Sequence, residues 1–199
     1  MRILLVGSGG REHALARTFA DSPRTETLFI APGNPGTAQC GTNVEVAADD
    51  LEGLVALARD RDVDLTVVGP EQPLVDGLVD RFEEEGLRIV GPTQAAAQLE
   101  GSKAFANRFM RRHDIPTASF RVFAADDVEA AAAYIEDIGA PIVVKADGLA
   151  AGKGAFVCSS VAEAHEALDQ IVRDRAFGAA GDQVVIEEKM DGEEGSVLA

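Results

Sequence analysis

The strongest constraint lies at the start of the chain. Arg2 to Val6 is an unbroken apolar run, Gly7-Ser-Gly-Gly10 follows at once, and Ala14, Leu15 and Thr18 then recur at helical spacing through Phe19. A strand without polar alternation is buried on both faces, as in a parallel sheet, and a parallel sheet needs a crossover after each strand. Strand, glycine-rich turn and helix form the first unit of a Rossmann-like sheet. The dinucleotide fingerprint then fails twice. Glu12 stands at its third glycine position, and the second strand, Thr27 to Ile30, runs into Ala31-Pro-Gly33 with no acid for a ribose hydroxyl. The loop is left as either a phosphate holder at a helix N-terminus or a tight turn that packs helix on strand.

The units that follow extend this domain. Ala31-Pro-Gly-Asn-Pro-Gly36 is dense in turn formers at a strand end, where ligands of parallel sheets bind. Leu51 to Arg59 reads as a helix and Leu65 to Val68 as a buried strand. Gly69-Pro-Glu-Gln-Pro73 then puts Glu71 at that strand's C-terminal edge. Glu71 serves either a substrate hydroxyl or amine, or the N-terminus of the next helix. One helix is predicted over Leu74 to Glu85 and a short strand over Arg88 to Val90. Four such βα units give a first domain over residues 1–100.

Residues 101–199 read differently. Helices are expected over Gln94 to Leu99 and Ser102 to Arg112, broken at Gly101, with Ser102 as N-cap and Phe105 and Phe109 facing inward. Lys103 falls in the first turn, against the helix dipole, as either a ligand residue or a solvated surface lysine. A strand at Ser119 to Val122, a helix at Asp126 to Ile138, a hairpin from Pro141 to Cys158, a helix at Ser160 to Arg173 and a strand at Gln183 to Glu187 follow. Ser196 to Ala199 reads as the opening of another strand in a fold cut short.

The hairpin carries the chemistry. Lys145-Ala-Asp-Gly-Leu-Ala-Ala-Gly-Lys-Gly154 sets three glycines and two lysines between two apolar runs. Small residues let backbone N–H groups approach an anion, and the lysines add charge, which suits a polyphosphate. It is not a Walker A loop: Gly148 and Gly152 are three residues apart, Gly154 replaces the hydroxyl residue, and a strand follows instead of a helix. The other motifs of a protein kinase are missing. The alternative is a surface hairpin whose glycines serve only the turn.

Composition narrows the partners. The net charge is -16 and the pI near 4.5, which argues against a nucleic acid or anionic membrane partner. Cys40 and Cys158 make no disulfide scaffold, and His13, His113 and His165 share no zinc or triad spacing. No apolar run approaches the roughly 20 residues of a membrane span, so a cytoplasmic protein is expected.

Taken together, these segments resemble the phosphoribosylamine–glycine ligases (glycinamide ribonucleotide synthetases), a family of ATP-grasp enzymes in purine biosynthesis. The resemblance rests on Gly7 to Leu15, Ala31 to Thr37, Val68 to Glu71, Gln98 to Phe105, Ala140 to Gly154, and Ile186 to Glu194, in that order. It implies an α/β protein with a Rossmann-like domain over 1–100, then linker helices and the lid part of an ATP-grasp domain over 101–199, truncated at its C-terminus. It also implies ligation of glycine to 5-phosphoribosylamine with ATP. On the same ground Lys103 and Lys145 would contact ATP phosphates. Asp147 and the loop of Gly148, Gly152, Lys153 and Gly154 would form the lid. Glu187 would accept from the adenine amino group, the backbone of Glu188 to Met190 would meet the ring edge, and Glu194 the ribose. Gly9, Gly10, Arg11, Gly33, Asn34 and, more weakly, Glu71 would meet the phosphoribosylamine. The family's Mg²⁺ or Mn²⁺ ligands would lie beyond residue 199, so residues 1–199 alone are expected to be inactive. The rivals are an ATP-grasp enzyme acting on another acid and a non-catalytic nucleotide-binding module.

Only four of the 18 basic residues are lysines, against 34 acids. We hypothesise that this composition reflects adaptation to high salt, where self-repulsion is screened. The expected outcome is a melting temperature that falls as salt is diluted; a melting temperature indifferent to salt contradicts it.

Overall fold

The computed structural model describes residues 1–150 and 152–197. Two compact units divide the chain, Met1–Gly101 and Ser102–Ala199. Among the described residues no helix is long and apolar enough to cross a membrane.

The first unit runs β1 (Arg2–Gly7), α1 (Gly10–Ala20), β2 (Thr27–Pro32), β3 (Thr42–Asn43), α2 (Leu51–Asp60), β4 (Leu65–Val68), α3 (Gln72–Val75), α4 (Leu78–Glu84), β5 (Ile89–Val90) and α5 (Gln94–Gly101). Its five strands are all parallel, in the order β3-β2-β1-β4-β5. Strand β1 is central, and its side chains feed two cores. Leu4 and Val6 pack with Leu54, Leu57, Leu78 and Phe82 of α2 and α4. Ile3 and Leu5 pack with Ala16 of α1 and with Leu28 and Ile30. Both faces are covered, which is why β1 shows no polar alternation.

Two expectations need correction here. Leu74 to Glu85 is not one helix: it breaks between α3 and α4 at Gly77, whose φ of +94° is open to glycine at little cost. The sheet also gains β3, a two-residue strand whose Thr42 and Asn43 carry no apolar signal.

The second unit runs α6 (Lys103–Arg112), β6 (Phe120–Ala124), α7 (Val128–Ile138), β7 (Ile142–Ala146), β8 (Ala155–Cys158), α8 (Val161–Val172) and β9 (Gln183–Glu188). Four antiparallel strands lie in the order β6-β9-β7-β8. Alternation sorts their residues into two faces. Phe123, Ile142, Val144, Ala146, Cys158, Val184 and Ile186 face α7 and α8 and form the core. Burial, with the charge of Glu163 adding to it, pushes the Cys158 thiol up, so it is a packing residue with little thiolate. Phe105 does not face inward as expected, and Phe109, stacked beside it, is half-buried. Phe105 is 37% exposed, and the buried residues of α6 are Ala104 and Asn107. Ser196 and Val197 belong to no strand. Leu198 and Ala199, the rest of the expected terminal strand, and Ala151 of the hairpin loop lie outside the described residues.

Thr66, in the middle of β4, is fully buried, and its Oγ1 has no hydrogen-bond partner among the described residues. A buried hydroxyl without a partner carries a desolvation cost that a methyl group does not. Thr66→Val is expected to stabilise the first unit by about 1 kcal/mol, read as a higher urea midpoint at unchanged slope. A lower midpoint contradicts this.

Candidate functional site

Opposite the core, the sheet of the second unit has a face with no helix pair over it among the described residues. The register places Val143 beside Glu187 and Val157, and Lys145 beside Val185 and Ala155. These side chains point the same way, with Phe120, the partner of Glu187 on β6. Helix α6 covers the β6–β9 half. Arg111 stacks its guanidinium 4.8 Å from the centre of the Phe120 ring, and Asn107 reaches Glu187. The β7–β8 half stays open and forms one wall of a cleft of about 610 Å³. Val143, Lys145, Ala155, Val157 and the segment Glu187 to Glu194 line it.

A buried carboxylate sits at the border of the two halves. Glu187 is 7% exposed. Lys145 Nζ donates to its Oε2 at 2.5 Å and Asn107 Nδ2 to its Oε1 at 2.7 Å. Lys145 is the more accessible partner, its side chain 27% exposed. Burial of a charge is tolerable only with such partners.

The start of α6 is clamped to the hairpin. The Asp147 carboxylate accepts from Ser102 Oγ and, at 2.6 Å, from the Ala104 amide, so it caps α6 from outside the helix. Ser102 Oγ in turn accepts from the Phe105 amide at 3.0 Å, the expected N-cap. The Lys103 ammonium donates to the carbonyls of Asp147 at 3.2 Å and Gly148 at 2.8 Å. Its place in the first turn is explained by those carbonyls, and it is not a freely solvated surface lysine. Beyond them the loop crosses from β7 to β8. Gly148 packs against Ala180 so closely that a Cβ would lie 3.0 Å from it, and Gly152 has a φ of +75°. Gly154 accepts from the Ala146 amide at 2.7 Å. Lys153 is exposed at the turn.

At the far end of the cleft the backbone after β9 is tied to the segment before β6. The Glu188 amide donates to the Ser119 carbonyl at 3.0 Å, and the Glu188 carboxylate accepts from the Ser119 amide at 2.8 Å. The Glu188 N–H is thus paired with β6's side of the sheet, which leaves its carbonyl and the Met190 backbone on the cleft side. Met190 and Glu194 are exposed and line the cleft. Lys189 pairs with Asp191 and holds its carboxyl below the usual range.

In the first unit, Gly9, Gly10, Arg11 and Glu71 come together with Glu12 and Pro70 around a cleft of about 320 Å³. It lies where the strand order reverses between β1 and β4, the place where open parallel sheets bind ligands. Arg11 donates to the Gly69 carbonyl at 2.6 Å. The Glu71 side chain makes no capping hydrogen bond to α3, which leaves it for the cleft. Gly33 and Asn34 do not line this cleft but are tied to the turn after β1: the Gly33 amide donates to the Gly7 carbonyl at 3.1 Å. Asn34 Nδ2 donates to the carbonyls of Ser8 and Gly9, while its Oδ1 accepts from the amides of Gly36 and Thr37. Gly33 has a φ of +73°, and a Cβ there would strike Asn43.

Two residues of these sites escaped sequence reasoning. Glu12 read only as a departure from the dinucleotide fingerprint. It is buried and accepts from the Gly9 amide at 2.6 Å, and a Cβ on Gly69 would lie 2.1 Å from its Oε1. Its carboxylate occupies the space those glycines open and takes an amide of the helix N-terminus. Asn107 carried one usable signal: it lies four residues from Lys103, on the same helical face.

Comparison with known proteins gives the same division of the chain. The family description "Phosphoribosylglycinamide synthetase, N domain" matches residues 1–100, and "Phosphoribosylglycinamide synthetase, ATP-grasp (A) domain" matches residues 101–199. The phosphoribosylamine–glycine ligase of Vibrio vulnificus is 56% identical over 200 residues, covering 100% of this chain and 46% of that protein. The crystal structure of the phosphoribosylamine–glycine ligase of Thermotoga maritima matches with a TM-score of 0.74 at 32% identity, over 97% of this chain and 45% of that one. The biotin carboxylase domain of Hydrogenobacter thermophilus 2-oxoglutarate carboxylase shares the fold, with a TM-score of 0.75 at 20% identity, over 96% of this chain and 44% of that one. The chain thus spans about half the length of the relatives it matches. With both units matched end to end, the chain belongs to the phosphoribosylglycinamide synthetase family, its first unit the N domain and its second the ATP-grasp domain.

Proposed function

We propose that the full-length protein ligates glycine to 5-phosphoribosylamine with ATP. The observation that carries this reading is 56% identity to a phosphoribosylamine–glycine ligase across the whole chain, first unit included. A glycine carboxylate is a poor electrophile. Transfer of the γ-phosphoryl group to one of its oxygens gives glycyl phosphate and ADP. The amine of phosphoribosylamine then attacks the acyl carbon and phosphate departs, leaving glycinamide ribonucleotide. Positioning and neutralisation of phosphate charge supply most of the rate in such a step.

The cleft of the second unit fits a nucleotide. Val143 and Val157 offer an apolar wall to a flat ring, and Glu187 an acceptor beside it. The ring edge falls to the Glu188 carbonyl and the Met190 backbone, and Glu194 is suited to ribose hydroxyls. Lys145 and Lys103 would face the phosphates, with Lys153 brought in by the Gly148–Gly154 loop. To reach a phosphate, Lys145 must leave Glu187. In the first unit, Gly9, Gly10, Arg11 and Glu71 would hold the phosphoribosylamine, with Gly33 and Asn34 bracing them. Mg²⁺ or Mn²⁺ would accompany ATP. Its ligands would lie beyond residue 199; among the described residues no group of three or more His, Cys, Asp or Glu could hold a metal ion. The reading places the reaction in the cytoplasm, with small-molecule substrates as partners and neither nucleic acid nor membrane.

The test is ADP formation by the full-length protein with phosphoribosylamine and glycine, bicarbonate or other carboxylates. Glycine-dependent ADP release is expected, and release driven by bicarbonate instead would overturn the assignment. In the same assay Lys145→Ala is expected to lower turnover about a hundredfold and Lys153→Ala less. Equal or reversed losses mean that the two lysines have been assigned wrongly.

A further inference from the structure

We infer that Asn107 is a positioning residue of the nucleotide cleft. Through its hydrogen bond to Glu187 it keeps that carboxylate in place and lets Lys145 be released to a bound polyphosphate. The inference rests on the ATP reading above but concerns a residue that the reading does not use.

The geometry leaves the amide of Asn107 one orientation. Glu187 is buried, its Oε2 accepts from the Lys145 ammonium, and its Oε1 faces Asn107 as a second acceptor. Asn107 must therefore present its NH₂ group, as the 2.7 Å contact has it. Its carbonyl oxygen then faces Thr117 Oγ1, a longer contact at 3.4 Å. Asn107 is itself 6% exposed, so no water replaces it easily.

The value of Asn107 lies in its being neutral. A cation there would satisfy Glu187 as fully as Lys145 does and leave the carboxylate little charge to share. An apolar residue would leave Lys145 as the only donor and tie it to Glu187. An amide solvates one oxygen without cancelling the charge. When Lys145 swings to a phosphate, Glu187 keeps a donor and can still accept from a ligand.

The charged groups around Glu187 come from every element packed there. Lys145 stands on β7, and Lys103 and Arg111 flank Asn107 by one helical turn on α6. Lys189, Asp191, Glu193 and Glu194 line the cleft, and Glu188 is turned to Ser119. From β8 the neighbours are Ala155 and Val157, and from β6 Phe120.

The experiment titrates ATP into the full-length protein, wild type and variants, at pH 6 and pH 8. Each variant is taken as a ratio to wild type at the same pH, so that protonation of ATP itself cancels. Asn107→Asp sets a second carboxyl against Glu187. At pH 8 both are charged and hold Lys145, and ATP affinity is expected to drop about tenfold. At lower pH the pair shares a proton, and the ratio should return toward one. Asn107→Leu is expected to weaken ATP binding at both pH values by a similar factor. A scaffold role alone would lower melting temperature without this pH trend. Wild-type affinity in both variants, or an Asn107→Asp ratio equal at the two pH values, overturns the inference. ATP binding by wild type without glycine-dependent turnover sinks the proposed function and leaves the inference to be judged on these ratios. No ATP binding by wild type sinks both.

Discussion

A buried carboxylate must find donors, and much of the second unit can be traced to that requirement at Glu187. The residue sits near the end of β9 with both oxygens engaged, one by Lys145 and one by Asn107. Lys145 lies on the neighbouring strand, two residues from the register partner of Glu187, so the sheet itself sets that pair. Asn107 lies on α6, which must pack over half of the open face to deliver it. The other half remains uncovered, and there the cleft forms. Removing one partner of a buried ion pair costs about 3–5 kcal/mol, at the lower end where one member keeps contact with water, as Lys145 does.

Helix α6 works as a polar strap. Lys103, Asn107 and Arg111 follow at intervals of four and each makes a contact with the strand system: the loop carbonyls, Glu187 and the Phe120 ring. Asp147 closes the arrangement by capping the first turn from the hairpin. The first unit solves a related problem with one residue. Glu12 is buried beside the turn after β1 and is satisfied by the Gly9 amide. The glycines around it leave room for its side chain, which is why the loop resembles a dinucleotide turn and departs from it at that position.

These two cases also show where sequence reading succeeds. Strand β1, its turn and α1 are legible because burial on both faces leaves an unbroken apolar run. The hairpin is legible because glycines and lysines rarely gather without a reason. Family likeness carried the identification, since no local motif here is complete: the dinucleotide turn and the Walker pattern both fail. The illegible parts have tertiary causes. Phe105 and Phe109 looked like the inward face of α6 because they are its large apolar residues. The helix instead turns a polar stripe to the sheet, because Glu187, some eighty positions away in the chain, needs a donor. Strand β3 is too short to carry a pattern, and the break at Gly77 looked like a glycine tolerated inside one helix.

The central claim is that the open face of the second unit, bordered by Lys145 and Glu187, receives the nucleotide. Hydrogen exchange of the full-length protein with and without ATP tests it most directly. The account predicts slowed exchange in residues 142–158 and 186–194 and unchanged exchange at residues 7–11. Protection at residues 7–11 with none around Lys145 and Glu187 would contradict it.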